Sequence, residues 1–146
     1  MIQNTMKNFL LNSLLFIFLL SPFNSYGECS KSWTFLYSGP GKYFSERWQI
    51  APNTPLKVIK KKKKWSLVEE FDGLRSWVSN TDLIKDYFCG IVKVPTRGKK
   101  KLTSKNTEYI KFGSTVRVLK IRKPYAYIQY EGNRNYWVLQ KRLWVY

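Results

Sequence analysis

Basic and aromatic side chains are the residues of this sequence best suited to act on another molecule. The chain has 26 Lys and Arg against 9 Asp and Glu, which gives a formal net charge of +17, and aromatic residues make up 17% of it. Cationic groups attract anions, and aromatic rings beside them can pack against a sugar or a peptide. The candidate ligand-binding residues are Tyr43, Phe44, Arg47, Trp48, Lys60, Lys61, Lys62, Lys63 and Lys64.

The run of five lysines also has a simpler interpretation. It lies between a predicted strand that ends at Ile59 and another that begins at Trp65, so we expect a short loop with five ammonium groups in solvent. A solvated loop of this kind needs no ligand. A second basic cluster, Arg97 with Lys99–Lys101, either continues the same charged face or keeps a linker extended by self-repulsion. The sequence leaves both questions open.

Residues for catalysis are scarce. The sequence has no histidine, so histidine-based triads, imidazole bases and histidine-bearing zinc sites are excluded. Acidic residues such as Glu69, Glu70 and Asp72 fall at predicted turns, where solvation explains them better than a pair of catalytic carboxylates. The glycines of Ser38–Gly41 lack the following helix of a phosphate-binding loop and are expected in a turn. The sequence therefore predicts no enzyme, no cofactor and no bound metal.

The N-terminus has the layout of a secretory signal peptide. Lys7 supplies a positive charge before the apolar run Phe9–Leu20, and Ser25 and Gly27 are small residues suited to cleavage before Glu28. A spanning helix needs about 20 apolar residues, more than this run provides, and an uncleaved anchor is the alternative. We expect a periplasmic or secreted mature protein that has no transmembrane segment after cleavage.

The two cysteines, Cys29 and Cys89, both fall in the predicted mature chain. Disulfides persist in exported proteins, and two cysteines allow one pairing. A Cys29–Cys89 bond would close a loop of about 60 residues and stabilise the fold by about 4 kcal/mol on the chain-entropy model. The alternative is two unpaired thiols.

An internal repeat is the clearest sign of the fold. When the sequence is shifted by 60 residues, apolar and aromatic positions fall on one another, which indicates a repeated core rather than repeated chemistry. Both units predict strands joined by tight turns, with Asp72-Gly73 and Glu131-Gly132-Asn133 at corresponding turns. Single helical turns are expected over 79–83 and 140–143. The matched pairs are Ile50 and Ile110, Leu56 and Val116, Val58 and Val118, Ile59 and Leu119, Trp65 and Tyr125, Leu67 and Tyr127, Val68 and Ile128, Trp77 and Trp137, Val78 and Val138, and Leu83 and Leu143.

The first unit resembles the bacterial SH3-like domains, and the whole chain resembles small exported proteins that carry two of them. The second unit is more divergent: Leu102–Lys105 stands where the first unit has its Ser-Gly-Pro-Gly stretch, and its first loop is about five residues shorter. The segments that carry the resemblance are Tyr37-Ser38-Gly39-Pro40-Gly41-Lys42-Tyr43, Leu56-Lys57-Val58-Ile59, Trp65–Val68, Asp72-Gly73 and Trp77-Val78 with Asp82-Leu83.

The resemblance implies an all-β protein made of two tandem small SH3-like β-barrels after a cleaved N-terminal signal peptide. Each barrel is expected to have five strands. The expected boundaries are a signal peptide over 1–27, a first domain over 28–84, a basic linker over 85–101 and a second domain over 102–146.

The resemblance also implies a docking module rather than an enzyme. In such a barrel the lysine loop borders a groove formed with the long first loop, which places the candidate residues around one ligand. The leading hypothesis is attachment to peptidoglycan or another anionic polymer of the cell envelope. The alternative is an adaptor or inhibitor that binds the peptide of an envelope protein. Nucleic acid or lipopolysaccharide bound by charge alone is a third, disfavoured candidate, and salt dependence separates it from the others.

Overall fold

The computed structural model describes residues 27–145, and this part of the chain is all-β. Its strands form two seven-stranded sheets in which every paired strand is antiparallel to its neighbour. The predicted fold of two SH3-like barrels in tandem is confirmed. The predicted signal peptide and its possible anchor role lie outside the described residues, apart from Gly27.

The two sheets follow each other along the chain. The first contains β1 (Gly27–Ser30), β2 (Thr34–Tyr37), β3 (Glu46–Ile50), β4 (Pro55–Lys62), β5 (Trp65–Glu69), β6 (Arg75–Ser79) and β7 (Leu83–Ile84). The second contains β8 (Phe88–Val92), β9 (Thr96–Lys99), β10 (Thr107–Ile110), β11 (Thr115–Arg122), β12 (Tyr125–Tyr130), β13 (Arg134–Leu139) and β14 (Leu143–Trp144). Single 3₁₀ turns at Asn80–Asp82 and Gln140–Arg142 confirm the two predicted helical turns.

The repeat is preserved in the strand order and register. The first sheet has the order β3-β2-β6-β5-β4-β1-β7, and the second has the same order with each strand replaced by its counterpart seven strands later. The long fourth strand of each barrel carries a bulge at the same place, between Val58 and Lys60 and between Val118 and Lys120. Each sheet has seven short strands instead of the five expected.

Each barrel has its own apolar core. Along β5 and β12 the residues alternate between buried and half-exposed, as expected where one face of a strand points inward. Each fully buried aliphatic side chain contributes roughly 1.5–3 kcal/mol by leaving water. The first core holds Leu36, Ile50, Leu56, Val68 and Val78, and the second holds Val92, Ile110, Val116, Val118, Ala126, Ile128, Tyr130, Tyr136, Val138 and Leu143.

The segment predicted as a linker belongs to the second barrel. Residues 85–101 contain β8 and β9, and β8 pairs with β11 and β14 just as β1 pairs with β4 and β7. Ile91 and Val92 are buried, so this stretch supplies part of the apolar interior. The basic residues of β9 hid this role, because they alternate with its inward-facing positions. Along the chain, only residues 85–87 lie between the last strand of the first sheet and the first strand of the second.

The predicted disulfide is confirmed and joins the two barrels. Cys29 of β1 is bonded to Cys89 of β8, and their Cα atoms lie 5.9 Å apart. The bond joins equivalent strands of the two barrels at non-equivalent positions, because the strand pairing aligns Cys29 with Ile91 rather than with Cys89. Both cysteines are buried.

Polar contacts around the disulfide fix the barrels against each other. The hydroxyl of Thr115 donates to the carbonyl oxygen of Pro52 at 2.8 Å, and the hydroxyl of Tyr87 donates to Asn53 Oδ1 at 2.8 Å. The guanidinium of Arg117 lies 4.1 Å from the centre of the Tyr87 ring. Burial raises the pKa of Tyr87 above its ordinary value, although Arg117 lowers it in part. The protein therefore carries its two barrels as one packed pair.

Candidate functional site

The aromatic residues predicted to bind a ligand lie on β3 and on the loop that precedes it. Tyr43 is 85% exposed, and its ring centre lies 4.5 Å from that of Phe44. The guanidinium of Arg47 lies 5.9 Å from the ring centre of Trp48 and donates a hydrogen bond to the carbonyl oxygen of Arg75. These contacts are made within the barrel, and only Tyr43 presents most of its ring to solvent.

Trp48 has a structural role in the first barrel. Its indole packs against the first core, and Nε1 donates to both carboxylate oxygens of Glu70, at 3.1 and 3.3 Å. Glu70 is buried, and burial raises its pKa above the ordinary value; the hydrogen bond from Trp48 opposes this rise and Asp72 adds to it. The structure therefore places Trp48 as an internal donor rather than as a platform for a ligand.

Glu70→Gln should make the protein more stable at pH 7. A raised pKa means that the folded state favours the protonated acid, so the stability that Glu70 contributes is present at low pH and is lost as the pH rises through its folded pKa. Glutamine keeps an acceptor for Trp48 Nε1 without a buried charge. We expect a gain of up to about 1 kcal/mol at pH 7, shrinking below pH ~4, in urea unfolding at both pH values. A variant less stable than wild type at pH 7 would show that the charged hydrogen bond outweighs burial.

The five lysines form a hairpin instead of the predicted loop. Lys60–Lys62 belong to β4, and only the last two lysines make the turn into β5. All five are exposed, but Lys61 is bound: its ammonium lies 2.8 Å from the carboxylate of Glu28, which is 3% exposed and also pairs with Lys85 at 3.3 Å. In the sheet, β2, β6 and β5 separate β4 from β3, so the nine predicted residues lie on two separate parts of the barrel.

The second barrel carries an open groove that we call the basic groove. It has a volume of about 440 Å³. Three cations line it and no acidic side chain does, and Tyr109 on its wall is 54% exposed. Its lining residues are Pro95, Thr96, Arg97, Lys99, Tyr109, Tyr125, Trp137, Leu139 and Arg142.

Strand β9 positions two of the three cations. Thr96 and Gly98 are buried on the inner face, so Arg97 and Lys99 project from the other face, and Lys99 lies opposite Trp137. Glycine is needed at position 98, because an added Cβ would lie 2.7 Å from Cβ of Tyr136. The close approach of β9 to β13 places Lys99 beside the aromatic wall of the groove.

The corresponding position in the first barrel is filled by an aromatic ring. Tyr37 pairs with Trp77 as Lys99 pairs with Trp137, and the Tyr37 ring packs edge-on against Trp65 at 5.3 Å between ring centres. Tyr37 is buried. Where the first barrel has this ring contact, the second has a lysine between aromatic side chains.

The charges beside these positions are also reversed. Asp82 of the first barrel stands where Arg142 stands in the second, each on the 3₁₀ turn that precedes the last strand. Burial raises the pKa of Tyr37, and the nearby carboxylates of Glu46 and Asp82 raise it further. The two barrels therefore share a topology but differ in the charge of their corresponding surfaces.

The sequence contained part of this signal. Arg97 and Lys99–Lys101 were recognised as a basic cluster, and Tyr125 and Trp137 as repeat positions expected in a core. Their convergence was hidden because Lys99 follows Tyr37 by 62 positions, whereas Ile110 follows Ile50 by 60. Between these anchors the second barrel is two residues shorter, fewer than the five expected.

Within residues 27–145, no group of three or more histidine, cysteine, aspartate or glutamate side chains is arranged to hold a metal ion. Within the same range, no helix has the length and apolar character to cross a membrane.

No curated protein sequence matches the chain. Similar solved structures include an NlpC/P60 family protein from Bacillus cereus ATCC 10987, with 10% identity over 82% of this chain and 56% of that one and a TM-score of 0.39. NlpC2 and NlpC1 from Trichomonas vaginalis each match over 82% of this chain, with 11% and 12% identity, 47% and 45% of their own lengths and TM-scores of 0.37 and 0.34. The chain thus spans about half the length of these three proteins.

A family model gives the assignment of the first barrel. The match begins at β2 and ends with β7, so it covers six of the seven strands of the first sheet. Residues 34–84 match the bacterial SH3 domain family, and the first barrel of this chain is a bacterial SH3 domain.

Proposed function

We propose that this chain is an exported, non-catalytic binding module that attaches to peptidoglycan or another anionic polymer of the cell envelope. The proposed site is the basic groove of the second barrel. The observation that carries the proposal is the lining of that groove, in which three cations stand beside aromatic rings and no acid is present.

The groove has groups for the two parts of such a polymer. Arg97 and Arg142 can each donate two parallel hydrogen bonds to a carboxylate or phosphate, and Lys99 adds a compact charge. Tyr109 and Trp137 offer rings on which the apolar face of a sugar or peptide can pack. A small number of directed polar groups among aromatic walls is typical of ligand sites.

Three further features support an envelope location. The bacterial SH3 domain fits a docking module, the Cys29–Cys89 disulfide fits an oxidising compartment, and the formal charge of +17 fits an anionic surface. The first barrel then acts as a rigid partner that presents the second.

Co-sedimentation with purified peptidoglycan over a salt series tests this function. Wild type should pellet with the polymer at physiological salt and retain part of its binding at higher salt, because ring packing is not screened. Tyr109→Ala should weaken binding about tenfold, the effect of removing an interface anchor. Tyr109 is exposed, so its loss should leave the fold intact.

The matched control is Tyr43→Ala, an exposed tyrosine on the first barrel. It should bind as wild type does. A variant with Lys60–Lys64 changed to serine should also bind as wild type does, when the salt concentration is lowered to offset its smaller net charge. If Tyr43→Ala loses binding and Tyr109→Ala does not, the site is on the first barrel. If wild type fails to pellet, or binding disappears by moderate salt in every variant alike, the envelope polymer is not the specific ligand.

A further inference from the structure

We infer that a second cavity, between the two barrels, is a binding site for an uncharged glycan. This inter-barrel cleft has a volume of about 440 Å³ and is separate from the basic groove. One wall comes from the first barrel, through Trp33 and the turn at Pro52 and Asn53. The other comes from the second barrel, through the turn at Gly113 and the loop after β12.

Trp33 supplies the flat surface on which a sugar ring would pack. It lies between β1 and β2 and is 64% exposed. Within residues 27–145 its indole makes no ring contact and no hydrogen bond, so both its face and its Nε1 donor are open. An amphipathic ring with one donor suits a ligand that has both apolar and hydroxyl surfaces.

The polar groups of the cleft are amides. Asn53 Oδ1 accepts from Tyr87, which orients the side chain and leaves its Nδ2 to donate. The side chains of Gln129 and Asn133 make no hydrogen bond to the part of the chain that the structure describes. An amide both donates and accepts, as a sugar hydroxyl does, so these groups match a neutral glycan.

The charge of the cleft excludes an ionic ligand. In a chain with 26 Lys and Arg, none lines this cavity, and its only ionised group, Glu131, is paired with Arg134 at 3.3 Å. An anionic polymer would find no counter-charge here, in contrast to the basic groove. The two sites therefore select different chemistry on the same molecule.

The contacts between the barrels keep the cleft in shape. The Cys29–Cys89 bond joins the two barrels, and the hydrogen bond from the Thr115 hydroxyl to the Pro52 carbonyl oxygen joins the two walls of the cleft. A preformed cavity loses little conformational entropy on binding. Since neither barrel alone forms both walls, the cleft gives the tandem arrangement a function that a single barrel lacks.

Titration of the oxidised chain with a tetramer of N-acetylglucosamine, an uncharged glycan, tests this site. Calorimetry and tryptophan fluorescence should show binding that changes little between low and high salt. Trp33→Ala should weaken it at least about tenfold, as for an aromatic anchor. Phe88→Ala, which removes a ring of 65% exposure outside the cleft, should bind as wild type does.

The outcome is independent of the basic groove. Lys99→Tyr with Arg142→Asp should keep full affinity for the neutral tetramer, even if it loses the anionic polymer. If wild type shows no heat and no fluorescence change at about 1 mM tetramer, or if Trp33→Ala binds equally well, the cleft is not a glycan site. Loss of tetramer binding in the groove variant would place the glycan in the groove instead.

Discussion

Replacing both cysteines by serine should lower the free energy of unfolding by about 4 kcal/mol, because the bond closes a loop of about 60 residues in the unfolded chain. The expected loss is large relative to the 5–15 kcal/mol of a typical domain. Each barrel has a separate core, so removing the Cys29–Cys89 bond should also allow the barrels to unfold in two steps. Guanidinium unfolding followed by fluorescence measures both effects.

Reductant provides the control for this prediction. It should destabilise wild type by the same amount and leave the double serine variant unchanged. If reduction does not move the unfolding midpoint of wild type, the polar contacts between the barrels, rather than the disulfide, hold them together.

Giving the second barrel the charges of the first should strongly weaken recognition of the anionic polymer. Lys99→Tyr and Arg142→Asp introduce the residues that the equivalent positions, Tyr37 and Asp82, carry in the first barrel, so the fold has already accommodated them once. Two of the three cations of the groove are lost and an acid is gained. We expect affinity for peptidoglycan to fall by more than about tenfold, since like charge at a binding site is strongly unfavourable.

A control variant with the same change in net charge separates the effect of the groove positions from the effect of overall charge. Lys100→Tyr with Lys141→Asp alters the residues next in sequence, which are exposed and do not line the groove. This variant should lose only the affinity that its lower net charge costs at low salt. Equal losses in both variants would mean that overall charge, rather than the groove, governs binding.

The fold could be predicted because its determinants repeat in the sequence. Pairs such as Val68 and Ile128 recur at a constant spacing, since each fills the same inward position of an equivalent strand. The disulfide could be predicted from the secretory layout of the N-terminus and from two cysteines with one possible pairing. The linker was misplaced because β8 and β9 are short and β9 carries basic residues between its buried ones.

The site was harder to predict because it depends on contacts between residues of different strands that are far apart in the sequence. Nothing in the local sequence shows that Trp48 turns inward to Glu70, or that Lys61 is held by Glu28. The lysine run drew attention by its charge, whereas the groove depends on Lys99 replacing a buried tyrosine opposite a tryptophan. Such substitutions become visible only when the two barrels are compared strand by strand.

The most direct test of the proposed function is an NMR titration of the oxidised protein with an anionic disaccharide-peptide fragment released from peptidoglycan. The account predicts that resonances of the groove, including the indole of Trp137 and the backbone of Lys99 and Arg142, shift in a saturable way while those around Tyr43 and Trp48 do not. Saturable shifts around Tyr43 and Trp48 alone, or none at any concentration, would contradict it.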